Sequence, residues 1–535
     1  SLKQYNPALK YFAEVQRDPA SGYYAPAAYY AGVIQYQNGK YDDAYKSFKS
    51  IETHPQYKAD MPNWIVSSLY EAERYDDLLA YAEPLLRRTQ SGGVKLNDVA
   101  LYAAEVLYGR GKYEDAAKYY AQYVQLKGKE TPTPAPIQFR YGHSLFRTGN
   151  YVGAIDQLKS VATRKDTTGQ FGSYILAISH LQNKNPQASL TGFDNAAKLK
   201  FNKTIQEEAA FNHAKVQLEL NNYSAAFTEL QEFIKNYPTT EYEEEANRLS
   251  ILSLTKSNNS AAAVAYIEKL KKLDDATKAA YQRQTMNLGI ADFNAERYAQ
   301  AIVNFDKSLK YTPDSEIASA AVFQKGEAFS ALNRYGEAIP IYQQLIRSSP
   351  TSPHGIRSLY SLGYAYYNTK DYKSALTNFQ QYVAKGKGIG EPQTLEDATI
   401  RMADSYLTDK NYGQAMALYD KALSEGRLDR DYALYQKGLI LTYQEKDTEA
   451  KIQFDKVIAQ FPTSRYADDA LFQSANIDLE KGNYQAAIRA YTRLVKDKPR
   501  SYLIPPALLK RALAYNNIQV FEEAIRDYKR ILSEY

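Results

Sequence analysis

The apolar positions of this chain follow one short pattern that recurs along its whole length. A turn-forming pair precedes an aromatic residue, here called the anchor, with Ala three positions later and a large apolar residue seven positions later; Tyr41, Ala44 and Phe48 form one copy. Fifteen anchors, some of them weaker copies, lie 34 to 40 residues apart, which predicts an array of one structural unit. The anchors are Tyr5, Tyr41, Tyr75, Tyr113, Tyr151, Asn185, Tyr223, Asn259, Tyr298, Tyr335, Tyr372, Tyr412, Asp447, Tyr484 and Phe521.

Each unit is predicted to form two helices. The stretch before the anchor has helical apolar spacing and a small residue nine positions before the anchor, such as Gly363 before Tyr372. A side chain this small lets the second helix approach closely. Pro residues such as Pro238 and Pro462 end the second helix. The predicted fold class is therefore all-α, an α–α superhelical solenoid of about 14–15 helical hairpins.

The array divides into two parts around a degenerate segment. Residues 1–254 and 281–535 each hold about seven units, whereas residues 255–280 carry a weak anchor and are predicted to act as a hinge. A proline-rich loop is expected at residues 127–136. Both chain ends cut through a unit, so we expect a fragment of a longer protein. Because the ends of such a stack are apolar, self-association through them is a further expectation.

Composition narrows the classes of function. The 66 basic and 61 acidic residues of this 535-residue chain give a net charge of +5, which does not predict nucleic-acid binding. The lack of Cys excludes disulfides and thiolate metal sites, and the five His residues show no metal-ligand spacing. No apolar run approaches the roughly 18 residues of a transmembrane helix. We therefore expect no catalytic residue, no metal, no cofactor and no nucleic-acid partner.

The repeating pattern resembles the tetratricopeptide repeat, in which a small residue, an aromatic, Ala and a closing Pro recur about every 34 residues. The resemblance covers essentially the whole chain. Two segments, NYPTTEY at residues 236–242 and QFPTSRYADDA at residues 460–470, are similar to a phrase of Gram-negative envelope repeat proteins. Those proteins include the Tol-Pal-linked cell-division coordinator and the outer-membrane assembly lipoprotein. The resemblance implies a periplasmic or cell-envelope location, with the cytoplasm as the alternative.

The resemblance also implies where a partner would bind, because positions 2, 5, 9 and 12 of the first helix tend to face an inner groove in this family. Counting back from the anchors gives three sets of groove residues. Position 2 supplies Arg283, Arg357, Asp397, Tyr432 and Asp469; position 5 supplies Tyr29, Phe139, Phe211, Phe323, Tyr360, Tyr435 and Phe472; positions 9 and 12 supply Tyr36, Tyr108, Phe146, Phe293, Tyr364, Tyr367 and Asp404.

Two interpretations of these residues are open. Tyr offers a large apolar ring, a hydroxyl and few rotatable bonds, and its 50 copies suit a recognition groove for a peptide or partner helix. Alternatively, the rings pack neighbouring first helices together. Both are open for position 5, whereas groove exposure is expected for Arg357, Tyr364, Tyr367 and Asp404.

The resulting hypothesis is a non-catalytic scaffold that binds peptides or proteins in the cell envelope. Two alternatives stay open: a cytoplasmic scaffold or co-chaperone, and the regulatory arm of an enzyme whose catalytic domain lies outside this sequence.

Overall fold

The structure is a computed structural model that describes residues 5–87, 94–128 and 131–535. These residues form 29 α-helices and no β-strand. The chain consists of two compact units, Ser1–Asn259 and Ser260–Tyr535. The predicted all-α solenoid of helical hairpins is confirmed.

The first unit contains helix α1, six hairpins from α2/α3 to α12/α13, and helix α14. Their bounds are α1 Tyr5–Val15, α2 Tyr24–Gln37, α3 Tyr41–Ser50, α4 Met61–Glu71, α5 Tyr75–Arg87, α6 Asn97–Gly109, α7 Tyr113–Lys127, α8 Ala135–Arg147, α9 Tyr151–Val161, α10 Thr167–Gln182, α11 Pro186–Lys198, α12 Lys203–Glu219, α13 Tyr223–Asn236 and α14 Glu243–Lys256.

The second unit contains helix α15 and seven hairpins from α16/α17 to α28/α29. Their bounds are α15 Ser260–Ile267, α16 Asp275–Asn294, α17 Tyr298–Ser308, α18 Ser315–Ala331, α19 Tyr335–Ser348, α20 Pro353–Asn368, α21 Tyr372–Lys385, α22 Pro392–Thr408, α23 Tyr412–Glu425, α24 Arg430–Tyr443, α25 Asp447–Gln460, α26 Ala467–Glu480, α27 Tyr484–Asp497, α28 Ile504–Asn517 and α29 Phe521–Glu534.

The small residues predicted on the first helices lie where two helices touch. A Cβ added at Gly363 would lie 2.7 Å from the ring of Phe379, and one added at Gly438 would lie 2.4 Å from the ring of Phe454. Ala375 and Ala450, three residues into the second helices, are fully buried. Where this position is Gly, a large residue of the second helix, in most cases an aromatic ring, fills the space that a side chain would take.

The turn inside each hairpin has one backbone geometry. In all thirteen hairpins, the residue two positions before the second helix has a positive φ. Gly111 occupies this position before α7 with φ +71°, and Lys410 occupies it before α23 with φ +58°. The amide after it bonds a carbonyl five residues earlier, as in Lys112 N to Leu107 O at 2.9 Å. This pattern ends the first helix and starts the second within three residues.

The proline-rich loop predicted from the sequence is partly helical. Helix α7 reaches Lys127 and helix α8 begins at Ala135, so both ends of the predicted loop 127–136 are helical; Lys129 and Glu130 lie outside the described residues. The hinge at residues 255–280 stays a prediction. None of the described helices combines the length and the apolar character needed to cross a membrane.

Candidate functional site

Four hairpins bury a tyrosine hydroxyl against a polar side chain of the preceding helix. Positions are counted here from the first residue of the second helix, which is position 0. Tyr at position +7 is fully buried in these hairpins and donates to a residue at position −8. The pairs are Tyr120 with Glu105 at 2.7 Å, Tyr342 with Glu327 at 2.5 Å, Tyr419 with Asp404 at 2.6 Å and Tyr491 with Asn476 at 2.6 Å.

Where position +7 is Phe, position −8 carries no acid or amide. The five pairs are Phe48 with Val33, Phe193 with Ile178, Phe305 with Ile290, Phe379 with Tyr364 and Phe454 with Leu439. A buried hydroxyl needs a partner, whereas a Phe ring needs only apolar contact, so the two positions change together. Tyr528 faces Leu513 at position −8, but this Tyr is 38% exposed.

The second unit enlarges one of these pairs into a cluster that spans three hairpins. Asp404 on α22 is 5% exposed. Its Oδ1 accepts hydrogen bonds from the hydroxyls of Tyr419 on α23, at 2.6 Å, and Tyr432 on α24, at 3.0 Å. Its Oδ2 accepts from Arg401 Nη1 at 2.6 Å, while Arg401 Nε lies 3.2 Å from the hydroxyl of Tyr364 on α20. These five residues are called the Asp404 cluster.

A second carboxylate lies beside the Asp404 cluster. Asp397, one turn before Arg401 on α22, accepts hydrogen bonds from the hydroxyls of Tyr360 and Tyr364 on α20. Arg401 Nε lies 3.3 Å from Asp397, and Arg401 Nη2 lies 3.5 Å from Asp429, just before α24. One guanidinium is therefore shared among three carboxylates.

Burial sets the protonation of these groups. Burial raises the pKa of Asp404, an effect opposed by Arg401 and by the donated tyrosine hydroxyls. The pKa of Tyr419 is raised by burial and by the charge of Asp404, so this hydroxyl stays protonated and keeps its role as donor. The guanidinium of Arg401 also lies over the ring of Tyr432, 5.7 Å from its centre. Asp404 and Arg401 balance each other within the cluster, and the neighbouring carboxylates Asp397 and Asp429 add surplus negative charge beside it.

The first unit has a smaller counterpart. Glu105 on α6 accepts a hydrogen bond from Tyr120 on α7 and pairs with Arg140 on the next first helix, α8. These three residues are called the Glu105 cluster. Beside it, His143 Nδ1 lies 2.8 Å from the hydroxyl of Tyr108. Burial, with a contribution from Arg147, lowers the pKa of His143, so the imidazole is neutral at neutral pH.

Family models match this repeating architecture directly. Two models, both described as "Tetratricopeptide repeat", together cover more than half of the chain. The first matches residues 101–169, 286–353, 323–392 and 472–535, and the second matches residues 208–240 and 432–464.

The chain belongs to the tetratricopeptide-repeat family. A comparison with solved structures gives the following three matches among others. "Structure of Naa15/Naa10 bound to HypK-THB" gives a TM-score of 0.37 at 13% identity over 95% of this chain and 75% of that chain. "Crystal structure of YrrB: a TPR protein with an unusual peptide-binding site" gives 0.31 at 19% identity over 38% and 96%. "Crystal structure of APC/C hetero-tetramer Cut9-Hcn1" gives 0.27 at 14% identity over 90% and 88%. No curated protein sequence gives a significant match.

The rings at position 5 of the tetratricopeptide repeats, which is position −12 here, pack against the following repeat or their own hairpin. Tyr29 stacks on Tyr57 with ring centres 5.0 Å apart, and Tyr435 stacks on Tyr466 at 5.4 Å. Phe139, Tyr360 and Phe472 are half-buried in equivalent places. Two rings at this position are a correction to the predicted groove. Phe211 is 2% exposed and Phe323 is 9% exposed, so both belong to the core.

The rings at position 12, which is position −5 here, meet the aromatic residue that starts the second helix. Among the predicted residues, five such pairs form, four edge-to-face and one tilted, with ring centres 5.2 to 6.0 Å apart. The pairs are Tyr36 with Tyr41, Tyr108 with Tyr113, Phe146 with Tyr151, Phe293 with Tyr298, and Tyr367 with Tyr372. All ten rings are half-buried, so the anchors hold the hairpin turns while part of each ring stays accessible.

The remaining predicted groove residues differ in exposure. Arg357 and Arg283 are exposed, and Tyr364 and Tyr367 are half-buried. Asp469 accepts a hydrogen bond from Tyr502. The expectation that Asp404 is exposed is wrong, because donors from three helices and the rings that carry them enclose the carboxylate.

The sequence analysis missed Arg401 and Tyr419, which complete the Asp404 cluster, and Glu105. The signal available in the sequence was the pairing of Tyr at position +7 with an acid or amide at position −8. Among the residues that the structure describes, no group of three or more His, Asp or Glu side chains is arranged to hold a metal ion.

Proposed function

We propose that this chain is a non-catalytic protein-interaction scaffold that binds a peptide or protein segment on its first helices. The relevant surface, called the first-helix face, carries the residues at positions −15, −12, −8 and −5. The observation that supports the proposal is the convergence on α20, α22 and α24 of tyrosine hydroxyls, carboxylates and one arginine, held at fixed positions by their contacts.

Such a surface suits recognition for two physical reasons. Rings that are already held by neighbours lose little conformational entropy when a partner binds. Half-buried hydroxyls and charges then fix the orientation and register of the partner, because an unmatched polar group at a contact is costly. Asp429, partly exposed before α24, borders the cluster through Arg401, and Arg357, exposed on α20, supplies a charge of opposite sign on the helix that carries Tyr364.

Site-specific photocrosslinking tests this proposal. A photoreactive phenylalanine analogue is introduced at Arg283, Arg357 or Asp469, which lie at position −15 on the first helices α16, α20 and α26, and the chain is crosslinked in cells of its native source. Matched controls carry the analogue at exposed residues of the second helices, namely Lys373, Lys421 and Lys456. Mass spectrometry identifies the adducts. We expect the same partner at the first-helix positions and not at the controls. Adducts from the second-helix positions alone would show that the binding face is a different one.

We further propose a location in the bacterial cell envelope. The proposal is supported by the absence of Cys in 535 residues and by the two phrases at residues 236–242 and 460–470. Fractionation of the native host, with the chain expressed from its full gene, tests it. Recovery with periplasmic or membrane fractions is the expected result, and recovery with cytosolic markers would favour a cytoplasmic scaffold. Self-association through the ends of the solenoid stays a prediction, which sedimentation velocity at several protein concentrations would test.

A further inference from the structure

The Asp404 cluster joins first helices from three consecutive repeats. Tyr364 lies on α20, Arg401 and Asp404 lie on α22, and Tyr432 lies on α24. In a repeat solenoid, each unit packs mainly on its immediate neighbours, so stability is close to a sum of single-repeat and neighbour terms. A polar group that forms contacts with the preceding and the following repeat at once adds a contribution to stability that this sum does not contain.

We infer that the Asp404 cluster is a lock that makes the three hairpins α20/α21, α22/α23 and α24/α25 open and close as one cooperative block. The inference concerns the free chain and does not depend on the proposed partner binding.

The physical basis is the cost of leaving a buried charge without donors. Asp404 is 5% exposed, and three donors lie within 3.0 Å of its carboxylate: Arg401, Tyr419 and Tyr432. Opening of α24 removes the hydroxyl of Tyr432 from this carboxylate. The carboxylate stays buried with fewer partners, and removing one partner from a buried charge costs more than the hydrogen bond contributes. The closed form of α22 therefore depends on α24 being closed.

The link to α20 runs through Arg401. Its guanidinium holds Asp404 and also lies 3.2 Å from the hydroxyl of Tyr364. Asp397 reinforces the same contact, since it accepts from Tyr364 and Tyr360 and lies 3.3 Å from Arg401. The hydroxyl of Tyr367, also on α20, lies 3.5 Å from Asp404. A change at α24 that shifts Asp404 or Arg401 therefore alters contacts made by α20.

Another buried tyrosine of the same unit makes its hydrogen bond within one hairpin and supplies the control. Tyr491 on α27 donates to Asn476 on α26, within its own hairpin. Asn476 is a neutral amide whose other side-chain contact is Gln473, on the same helix. Loss of the Tyr491 hydroxyl should therefore loosen one hairpin, although Tyr491 lies at the same repeat position as Tyr419 and is equally buried.

Hydrogen–deuterium exchange of the whole chain tests the lock. Tyr432→Phe keeps the ring and removes the donor from α24. We expect about tenfold faster exchange in α22 and α24, together with a smaller acceleration in α20 and α21, which belong to a different repeat. Tyr491→Phe should accelerate exchange in α26 and α27 alone. If Tyr432→Phe leaves α20 and α21 unchanged, the block does not exist.

A double-mutant cycle gives a second, independent readout. Residues in separate repeats that share no partner have additive effects on stability, whereas a shared charge makes them non-additive. Tyr364→Phe and Tyr432→Phe are therefore combined, and exchange in α22 is measured in both single variants and in the double variant. We expect the double variant to exchange more slowly than the product of the two single accelerations predicts, because the first change already disables the lock. Multiplicative accelerations would overturn the inference.

Discussion

The Glu105 cluster in the first unit and the Asp404 cluster in the second start from the same junction. In both, a carboxylate at position −8 accepts a hydrogen bond from the hydroxyl of a buried Tyr at position +7. Glu105 adds one arginine from the next repeat, and the side chain of Arg140 is 41% exposed. Asp404 adds Arg401 and Tyr432, and the side chain of Arg401 is 18% exposed.

This difference in burial changes what the same junction does. The Glu105 cluster pairs one carboxylate with one cation that is partly exposed to water. It connects two repeats, and the loss of one partner should lower their stability only modestly. The Asp404 cluster places its charges away from water, where each loss leaves an unsatisfied group. A repeat protein can therefore vary its local rigidity without changing its hairpins, by varying how many helices satisfy one buried acid.

Removal of the two arginines should show the largest difference between the clusters. Arg401→Met leaves Asp404 buried without its cation, and we expect the free energy of local unfolding in α22 to fall by about 3 kcal/mol. Arg140→Met removes a cation whose side chain is 41% exposed and therefore screened by water, and we expect about 1 kcal/mol or less in α6. Hydrogen exchange measures both values. Lys421→Met, which removes an exposed cation on α23, is the control and should change little. Equal losses for Arg401 and Arg140 would show that burial does not distinguish the clusters.

Conversion of each junction to the apolar kind found in other hairpins should give the next largest difference. Tyr120→Phe combined with Glu105→Leu imitates the Phe454 and Leu439 pair and frees Arg140 to water, so we expect a cost of about 1 kcal/mol or less. Tyr419→Phe combined with Asp404→Leu removes the carboxylate that accepts hydrogen bonds from Arg401 and Tyr432.

For this second pair we expect the free energy of local unfolding in α22 to fall by about 2 kcal/mol. The measurement is the same local unfolding free energy, taken in α6 for the first pair and in α22 for the second. Recovery of near-native stability in the Asp404→Leu pair would mean that the larger cluster contributes no more than an ordinary hairpin junction.

The hairpins themselves were predictable from the sequence, because their rules are local. An aromatic residue starts the second helix in most hairpins, and a glycine nine positions earlier meets a large residue at position +7, as Gly363 meets Phe379. Both features repeat at fixed spacing, so periodicity alone reveals them. The left-handed turn residue is less visible, since Lys410 and Gly111 share one geometry with different side chains.

The candidate site was only partly predictable, because its contacts join different repeats. Counting along the first helix found Tyr364, Asp404 and Tyr432, but it missed Arg401 and Tyr419. Within the pattern of a single helix, a carboxylate such as that of Asp404 is expected to face water. Asp404 is buried because donors arrive from α22, α23 and α24, and that convergence depends on distances between helices that the spacing within one repeat does not contain.

A fall in pH should change the stability of the two clusters in opposite directions. His143, beside the Glu105 cluster, has a pKa below its ordinary value of 6.5, so the unfolded chain binds a proton more readily than the folded one. Its contribution to stability is complete above pH 6.5 and is lost as the pH falls through the lowered pKa. Asp404 has a pKa above its ordinary value of 3.8, so the folded state takes up this proton first and acid does not weaken the fold through it.

Hydrogen-exchange protection factors at pH 7 and pH 5.5 measure this difference. We expect reduced protection in α6–α9 at the lower pH and no comparable loss in α22–α24. His143→Leu supplies the control, because position +7 of its hairpin is Leu158 and an apolar pair results. This variant should abolish the pH dependence of α8 and α9. A pH response of α8 and α9 that persists in His143→Leu would assign it to another group.

The smallest expected difference concerns the turns that close the two hairpins. Gly111 adopts φ +71° in the turn before α7, and Lys410 adopts φ +58° in the turn before α23. The amides that follow make equivalent hydrogen bonds, Lys112 N to Leu107 O and Asn411 N to Tyr406 O, each at 2.9 Å. A residue with a Cβ is strained at positive φ, so we expect Lys410→Gly to stabilise the second hairpin by about 0.5 kcal/mol.

The reverse change, Gly111→Lys, should destabilise the first hairpin by about 1 kcal/mol. A Cβ at Gly111 would have no neighbour within 4 Å, so the effect would report on the backbone alone. Exchange in α6/α7 and in α22/α23 measures the two changes. If Lys410→Gly instead destabilises its hairpin, the Lys410 side chain contributes more than the strain it imposes. In that case the comparison of Glu105 with Asp404 has to include the turns as well as the charges.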